Sequence, residues 1–374
     1  MPSSTSSSEP GVVAVDRAYV RRVPSLRWPV VALAALLLTL AATAGWEASM
    51  RQLGLRAGDL DDGDDYWVVE RRAVDAGPRD PIVLVGDSRI LFDSDLDEWQ
   101  RLTGRRPLQL ALEGTNGGPF LEDLAKDEHF AGLVVVGMAP TSYFRDGVGV
   151  HDKALAHLRD QSPSQRVGHL LALPLQRLLA FLDTDYALFH LLERHPYPER
   201  AGFDPGNSPY YDVWKLRETS EGRQYRMWPR IETDTYLQQH ARLAWHDFDG
   251  KVVDDAEIAK VIARSKKWVD MIRSRGGEVV FLRPPSSGRV IVNEDRRVPR
   301  ARTWEPLLAL TGTYGFDFRD DPVSAAMQCP EWSHLRPADA TAFTRIYVGA
   351  LQAHVPWLGH HAPGGATHEH PDRG

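Results

Sequence analysis

Two short segments far apart in the chain carry residue types suited to acyl chemistry. The first is Gly86-Asp87-Ser88, directly after the apolar run Pro81-Ile82-Val83-Leu84-Val85. The second is Glu331-Trp332-Ser333-His334-Leu335, near the C-terminal end. A serine hydroxyl becomes a useful nucleophile when a base takes its proton, and histidine is the usual base. The histidine needs an acid to fix its tautomer, and Glu331 can reach His334 on a loop. Gly86 permits a sharp turn. Ser88 then opens a loop or helix whose backbone N–H groups can face a developing oxyanion. Local sequence gives Ser88 two readings, nucleophile or helix N-cap, a common role for serine. A strand-end serine together with a late acid-x-x-His favours the nucleophile.

The elements that must position these residues alternate in type. Continuous apolar runs predict strands over 81–85, 108–112, 132–136, 278–282 and 314–318. Helical patterns fill 94–102 (with Ser94 as N-cap), 119–130, 256–275, 304–310 and 338–353. Such alternation indicates a parallel sheet covered on both faces, with reactive groups at the carboxyl ends of the strands. A segment over about 145–253 interrupts the pattern. It is rich in aromatics (Tyr186, Phe189, Tyr210, Tyr211, Trp214, Tyr225, Trp228, Tyr236, Trp245) and holds an apolar helical stretch over 170–192. Insertions of this size tend to be lids or substrate platforms. Its aromatics either stack on sugar rings or form a small satellite core.

The chain here resembles the SGNH (GDSL-type) hydrolase superfamily. It is most similar to the membrane-anchored branch related to alginate O-acetylation proteins and the Dlt-type D-alanylation protein. Gly86-Asp87-Ser88, Gly114 in Leu112-Glu113-Gly114-Thr115-Asn116, and Glu331-x-x-His334 carry the resemblance, over 81–355 apart from the insertion. It implies an α/β, flavodoxin-like three-layer sandwich with a central parallel sheet. It also implies Ser88 as nucleophile, His334 as general base and Glu331 in the place of the family's aspartate, with Asp320 or Asp321 as alternative acids. The oxyanion hole would use the backbone N–H groups of Ser88 and Gly114. The family's third donor is an asparagine after the third strand. Here Gly137-Met138-Ala139-Pro140-Thr141-Ser142 puts Ala139 in that place, leaving Asn116, Thr141 or Ser142 as substitutes. Losing one such donor costs about a hundredfold or more. Arg89 and Arg283 are candidates to bind an anionic substrate group, such as a uronate carboxylate, or else to form ordinary ion pairs. The implied activity is a serine esterase or O-acyltransferase without a cofactor. The implied partners are a cell-surface polysaccharide acceptor and a membrane-bound O-acyltransferase. The alternative is a non-catalytic scaffold or binding subunit of a polysaccharide acylation or export complex.

Composition bounds the rest. A net charge of -7 over 374 residues, with no Lys/Arg-rich run in the folded part, argues against a nucleic-acid binder. The single cysteine, Cys329, excludes an internal disulfide and a thiolate zinc site. No Walker loop, dinucleotide fingerprint or HExxH occurs. Residues 28–45 are uncharged and long enough to span a bilayer. Arg17, Arg21, Arg22 and Arg27 precede them, and an acidic stretch follows. This predicts a single-pass anchor with the remainder outside a bacterial inner membrane. Ala42-Thr43-Ala44 leaves a cleaved signal as the other reading. The expected organisation is a tail over 1–27, the anchor over 28–45, a linker and entry to the domain over 46–80, the domain over 81–355 and a His-rich tail over 356–374. Asp61 to Asp65 and Asp247-Phe248-Asp249-Gly250 lack EF-hand spacing and read as solvated loops.

Overall fold

The computed structural model describes residues 27–145, 151–187, 189–190, 215–245 and 250–359. Residues 1–26 and 360–374 of the expected tails, Tyr210, Tyr211, Trp214 and Asp247-Phe248-Asp249 lie outside the described residues, whereas Pro356–Leu358, expected in the C-terminal tail, form a 3-10 turn with Leu358 buried. The chain divides into two units, Met1–Ser49 and Met50–Gly374. The apolar N-terminal segment forms a helix, Trp28–Gln52, long and apolar enough to cross a membrane.

The second unit is built on β1 (Ile82–Val85), β2 (Leu108–Gln109), β3 (Leu133–Gly137), β4 (Arg217–Ser220), β5 (Gln224–Met227), β6 (Glu278–Arg283) and β7 (Gly315–Asp317). Five of these form one parallel sheet in the order β2-β1-β3-β6-β7. Every residue of β1 and β3 is buried, because alternate side chains enter opposite layers and both layers are apolar. Val83, Val85, Val134, Val136, Val279 and Phe281 share one core with helices Gly118–Lys126, Asp255–Arg273 and Trp304–Thr311. Helix Pro337–His354 packs on both Ser88–Asp93 and Leu96–Thr103. The order reverses between β1 and β3, which places a ligand crevice beyond their carboxyl ends.

Three local expectations change. Asp95 caps Leu96–Thr103 through the N–H groups of Asp97 and Glu98. Ser94 instead closes the preceding helix, and its hydroxyl accepts from Tyr347 at 2.9 Å. The second strand is shorter than 108–112, although Leu110 and Leu112 still donate to Leu84 and Gly86. Asp62, read as part of a solvated loop, is buried against Arg223. Burial opposes its charge, but Arg223, Arg217 and the Tyr225 hydroxyl together hold its carboxyl below the usual range.

Arg223 seats the insertion on the core, donating to the carbonyls of Gln109 (2.8 Å) and Ala111 (3.0 Å). Around it lie helices His151–Asp160, Pro163–Gln176, Pro229–Thr233 and Thr235–Leu243 and the antiparallel pair β4–β5. Tyr186, Tyr225 and Trp228 are buried, whereas Tyr236 is exposed. Tyr186 packs on Trp228 with ring centres 6.2 Å apart, and Tyr225 packs edge-on against Phe92 at 5.4 Å.

Candidate active site

The turn after β1 leaves no room for a side chain. Gly86 has φ 150°, and a Cβ there would lie 2.2 Å from the Gly137 carbonyl oxygen. The chain then enters helix Ser88–Asp93, whose N-cap is Asp87. Asp87 Oδ1 accepts from the Arg89 N–H at 3.0 Å, and Oδ2 accepts from the Ala139 N–H. The aspartate therefore does the capping and ties the end of β1 to the end of β3. The Ser88 hydroxyl is left to face His334.

His334 Nε2 lies 2.9 Å from Ser88 Oγ, and Nδ1 lies 3.1 Å from Glu331 Oε1. That oxygen also accepts from the backbone N–H groups of Ser333 and His334. The Trp245 indole N–H is shared between the Glu331 carbonyl oxygen at 2.6 Å and Glu331 Oε2 at 2.9 Å. Phe92 stacks on the imidazole with ring centres 4.2 Å apart. Burial opposes the Glu331 charge, but His334 and the backbone donors hold its carboxyl below the usual range. Burial opposes a protonated His334 too, yet Glu331 raises the imidazole above its usual value. Thus Glu331, and neither Asp320 nor Asp321, meets the imidazole. Asp320 pairs with Arg300, and Asp321 caps helix Pro322–Ala325.

The loop holding the histidine is bent at Trp332, which has φ 79°. Left-handed backbone costs a bulky residue about 1–2 kcal/mol. It is held by Ser287 N–H donating to the Trp332 carbonyl at 2.9 Å and by Trp332 N–H donating to Cys329 at 3.0 Å. Arg242 covers the indole, 5.1 Å from its centre.

A cavity of about 380 Å³ opens over Ser88 and His334. Gly114, Thr115, Thr141 and Ser142 line it, as do Asp185, Leu216, Arg217 and Trp245 from the insertion. Thr115 is wholly buried, and its hydroxyl has no hydrogen-bond partner. Ala139 lines the cavity, but its N–H is taken by Asp87. Asn116 Oδ1 accepts from the Gly118 N–H at 3.0 Å, and Asn116 lines a different cavity.

The two arginines differ. Arg89 lines the cavity but is only 3% exposed. It donates to Ser333 Oγ and pairs with Glu294, and its Nη1 has no hydrogen-bond partner. Arg283 lies outside the cavity lining, bridging Glu294 at 2.9 Å and Asp317 at 3.3 Å. Burial opposes the Glu294 charge, but Arg89 and Arg283 hold its carboxyl low.

Sequence reasoning grouped Trp245 with the insertion's aromatics and overlooked its bond to Glu331. It also overlooked Asp93, buried beneath the histidine, and the Thr115 hydroxyl. No pattern marked Trp245 or Asp93, whereas the position of Thr115 directly after Gly114 was a usable signal. Comparison with protein-family models finds no matching family, and comparison with curated proteins finds no matching relative.

Proposed function

We propose that this chain is an outward-facing, membrane-anchored serine esterase or O-acyltransferase of SGNH type, working on ester groups of a cell-surface polysaccharide. The observation that carries the reading is the hydrogen-bonded relay from Ser88 through His334 to Glu331 at the floor of one cavity. The strand order and the position of Ser88 after β1 support it further. In the first step His334 Nε2 takes the Ser88 proton while Oγ attacks the ester carbonyl. The backbone N–H groups of Ser88 and Gly114 and the Thr115 hydroxyl receive the oxyanion. His334 then protonates the leaving alkoxide, and an acyl-serine remains. In the second step His334 deprotonates water or a sugar hydroxyl, which attacks the acyl-serine, and His334 returns that proton to Ser88 Oγ as the C–O bond to serine breaks. A membrane-bound O-acyltransferase partner would supply the acyl donor.

A second reading, a non-catalytic polysaccharide-binding subunit, draws on Ala139, which offers the site neither a side-chain donor nor a free N–H. Hydrolysis of p-nitrophenyl acetate by wild type and Ser88→Ala separates the two. The enzymatic reading expects the wild-type rate to vanish in the variant, together with labelling by a fluorophosphonate. Equal rates and no labelling exclude the enzymatic reading.

A further inference from the structure

Helix Pro163–Gln176 turns its apolar side outward. Val167, Leu170, Leu171, Pro174, Leu175 and Leu178 recur at spacings of three and four and form one stripe. Leu171 is 67% exposed, Leu178 68%, and Val167, Leu170 and Leu175 each more than half. His169, Ala172, Leu173 and Gln176, on the opposite side, are half-buried. No residue of the helix is fully buried. An ordinary surface helix has the reverse arrangement, and contiguous exposed leucines mark a surface that something covers.

The neighbouring chain identifies the cover. Arg51, in the last turn of the apolar helix Trp28–Gln52, donates to the Leu178 carbonyl at 3.3 Å. Gly58 donates to the Gln176 carbonyl at 2.8 Å, and Asp61 to Gln176 Oε1 at 3.3 Å. The segment that follows the apolar helix is thus bound to the end of the stripe. A helix with an apolar stripe, held where a chain leaves a bilayer, fits the lipid interface.

We infer that helix Pro163–Gln176 lies in the membrane interface, with its stripe among the acyl chains just below the headgroups. The protein then holds the bilayer twice, by a span and by an interfacial helix. The turn Thr184–Tyr186 follows soon after and brings Asp185 to the cavity wall. The interfacial helix therefore sets the height of the cavity above the lipid.

The test uses the full chain in phosphatidylcholine–phosphatidylglycerol vesicles, with a bimane label on Leu171→Cys, Leu36→Cys or Leu310→Cys. Cys329 is 3% exposed and, with burial pushing its thiol pKa up, competes little for the label. Leu36 lies in the apolar helix and reports insertion; Leu310 is an exposed leucine on helix Trp304–Thr311. Headgroup-proximal doxyl lipids are expected to remove most of the Leu171→Cys emission and leave Leu310→Cys unchanged. Adding Leu170→Glu and Leu175→Glu should abolish the quenching without changing the circular dichroism. An unquenched Leu171→Cys label in vesicles where Leu36→Cys is quenched overturns the inference. So does disulfide pairing of Leu171→Cys between copies without lipid quenching.

Discussion

The Trp245 indole N–H donates to Glu331 Oε2, so a residue of the insertion holds the acid that orients the histidine of the core. A hydrogen bond to a charged group contributes about 1.5–3 kcal/mol. Trp245→Phe keeps the ring against His334 and removes the donor. We expect kcat to fall about tenfold, since one such bond spans a factor of ten or more. Circular dichroism should remain that of wild type. Restoring a ring N–H with Trp245→His should recover part of the loss, and unchanged kcat in Trp245→Phe would show that the bond is idle.

Thr115→Val tests the orphaned hydroxyl. The valine is nearly isosteric, and the hydroxyl makes no hydrogen bond whose loss could weaken the fold. Burying an unsatisfied hydroxyl costs about 1–3 kcal/mol, so the urea midpoint should hold or rise. If the hydroxyl receives the oxyanion, kcat/KM should fall about ten- to a hundredfold. A stable variant with full activity excludes that role.

Asp87 offers a stability test. Asp87→Ala strands the N–H groups of Arg89 and Ala139, each costing about 1–3 kcal/mol when buried. Asp87→Asn keeps one acceptor oxygen and turns an amide toward the other donor, so it should lose less. Urea unfolding should rank them wild type, Asn, Ala. Equal midpoints for all three would mean that neither bond matters to stability.

Two pH dependences have opposite origins. In the proposed mechanism His334 must be neutral to accept the Ser88 proton, and Glu331 raises it above 6.5 against the effect of burial. The rate should therefore fall as pH drops through a value above 6.5, and Glu331→Gln should move that limb downward, because burial then acts unopposed. The pH profile of kcat/KM reads both. Asp93 is a buried carboxyl that burial pushes up to about 8 from 3.8. Between those values the folded chain holds a proton that the unfolded chain has released, so stability falls as pH rises. Asp93→Asn preserves the acceptor for Leu335 N–H. It should flatten the decline in Tm between about pH 5 and about pH 8.

The sheet was legible because β1, β3 and β6 are buried on both faces and read as unbroken apolar runs. The Ser88–His334–Glu331 grouping was legible because Ser88 follows a strand directly and Glu331-x-x-His334 supplies the base and acid that a serine nucleophile needs. Ser94 was misread as a cap because serine and aspartate compete for that task and stand side by side at 94 and 95. The insertion was opaque for a different reason. Its residues are fixed by contacts remote in sequence, such as Arg223 with Gln109 and Trp245 with Glu331. Nothing in the local pattern encodes those partners. Arg89 and Arg283 illustrate the same limit, because Glu294 binds both.

Ser88 and His334 stand 246 positions apart. During synthesis the serine emerges early, and its base comes only with the segment before the final helix, Pro337–His354. A nascent chain thus holds a passive hydroxyl for most of its production. In the proposed mechanism Ser88 therefore gains its base only after residues 331–334 have been made.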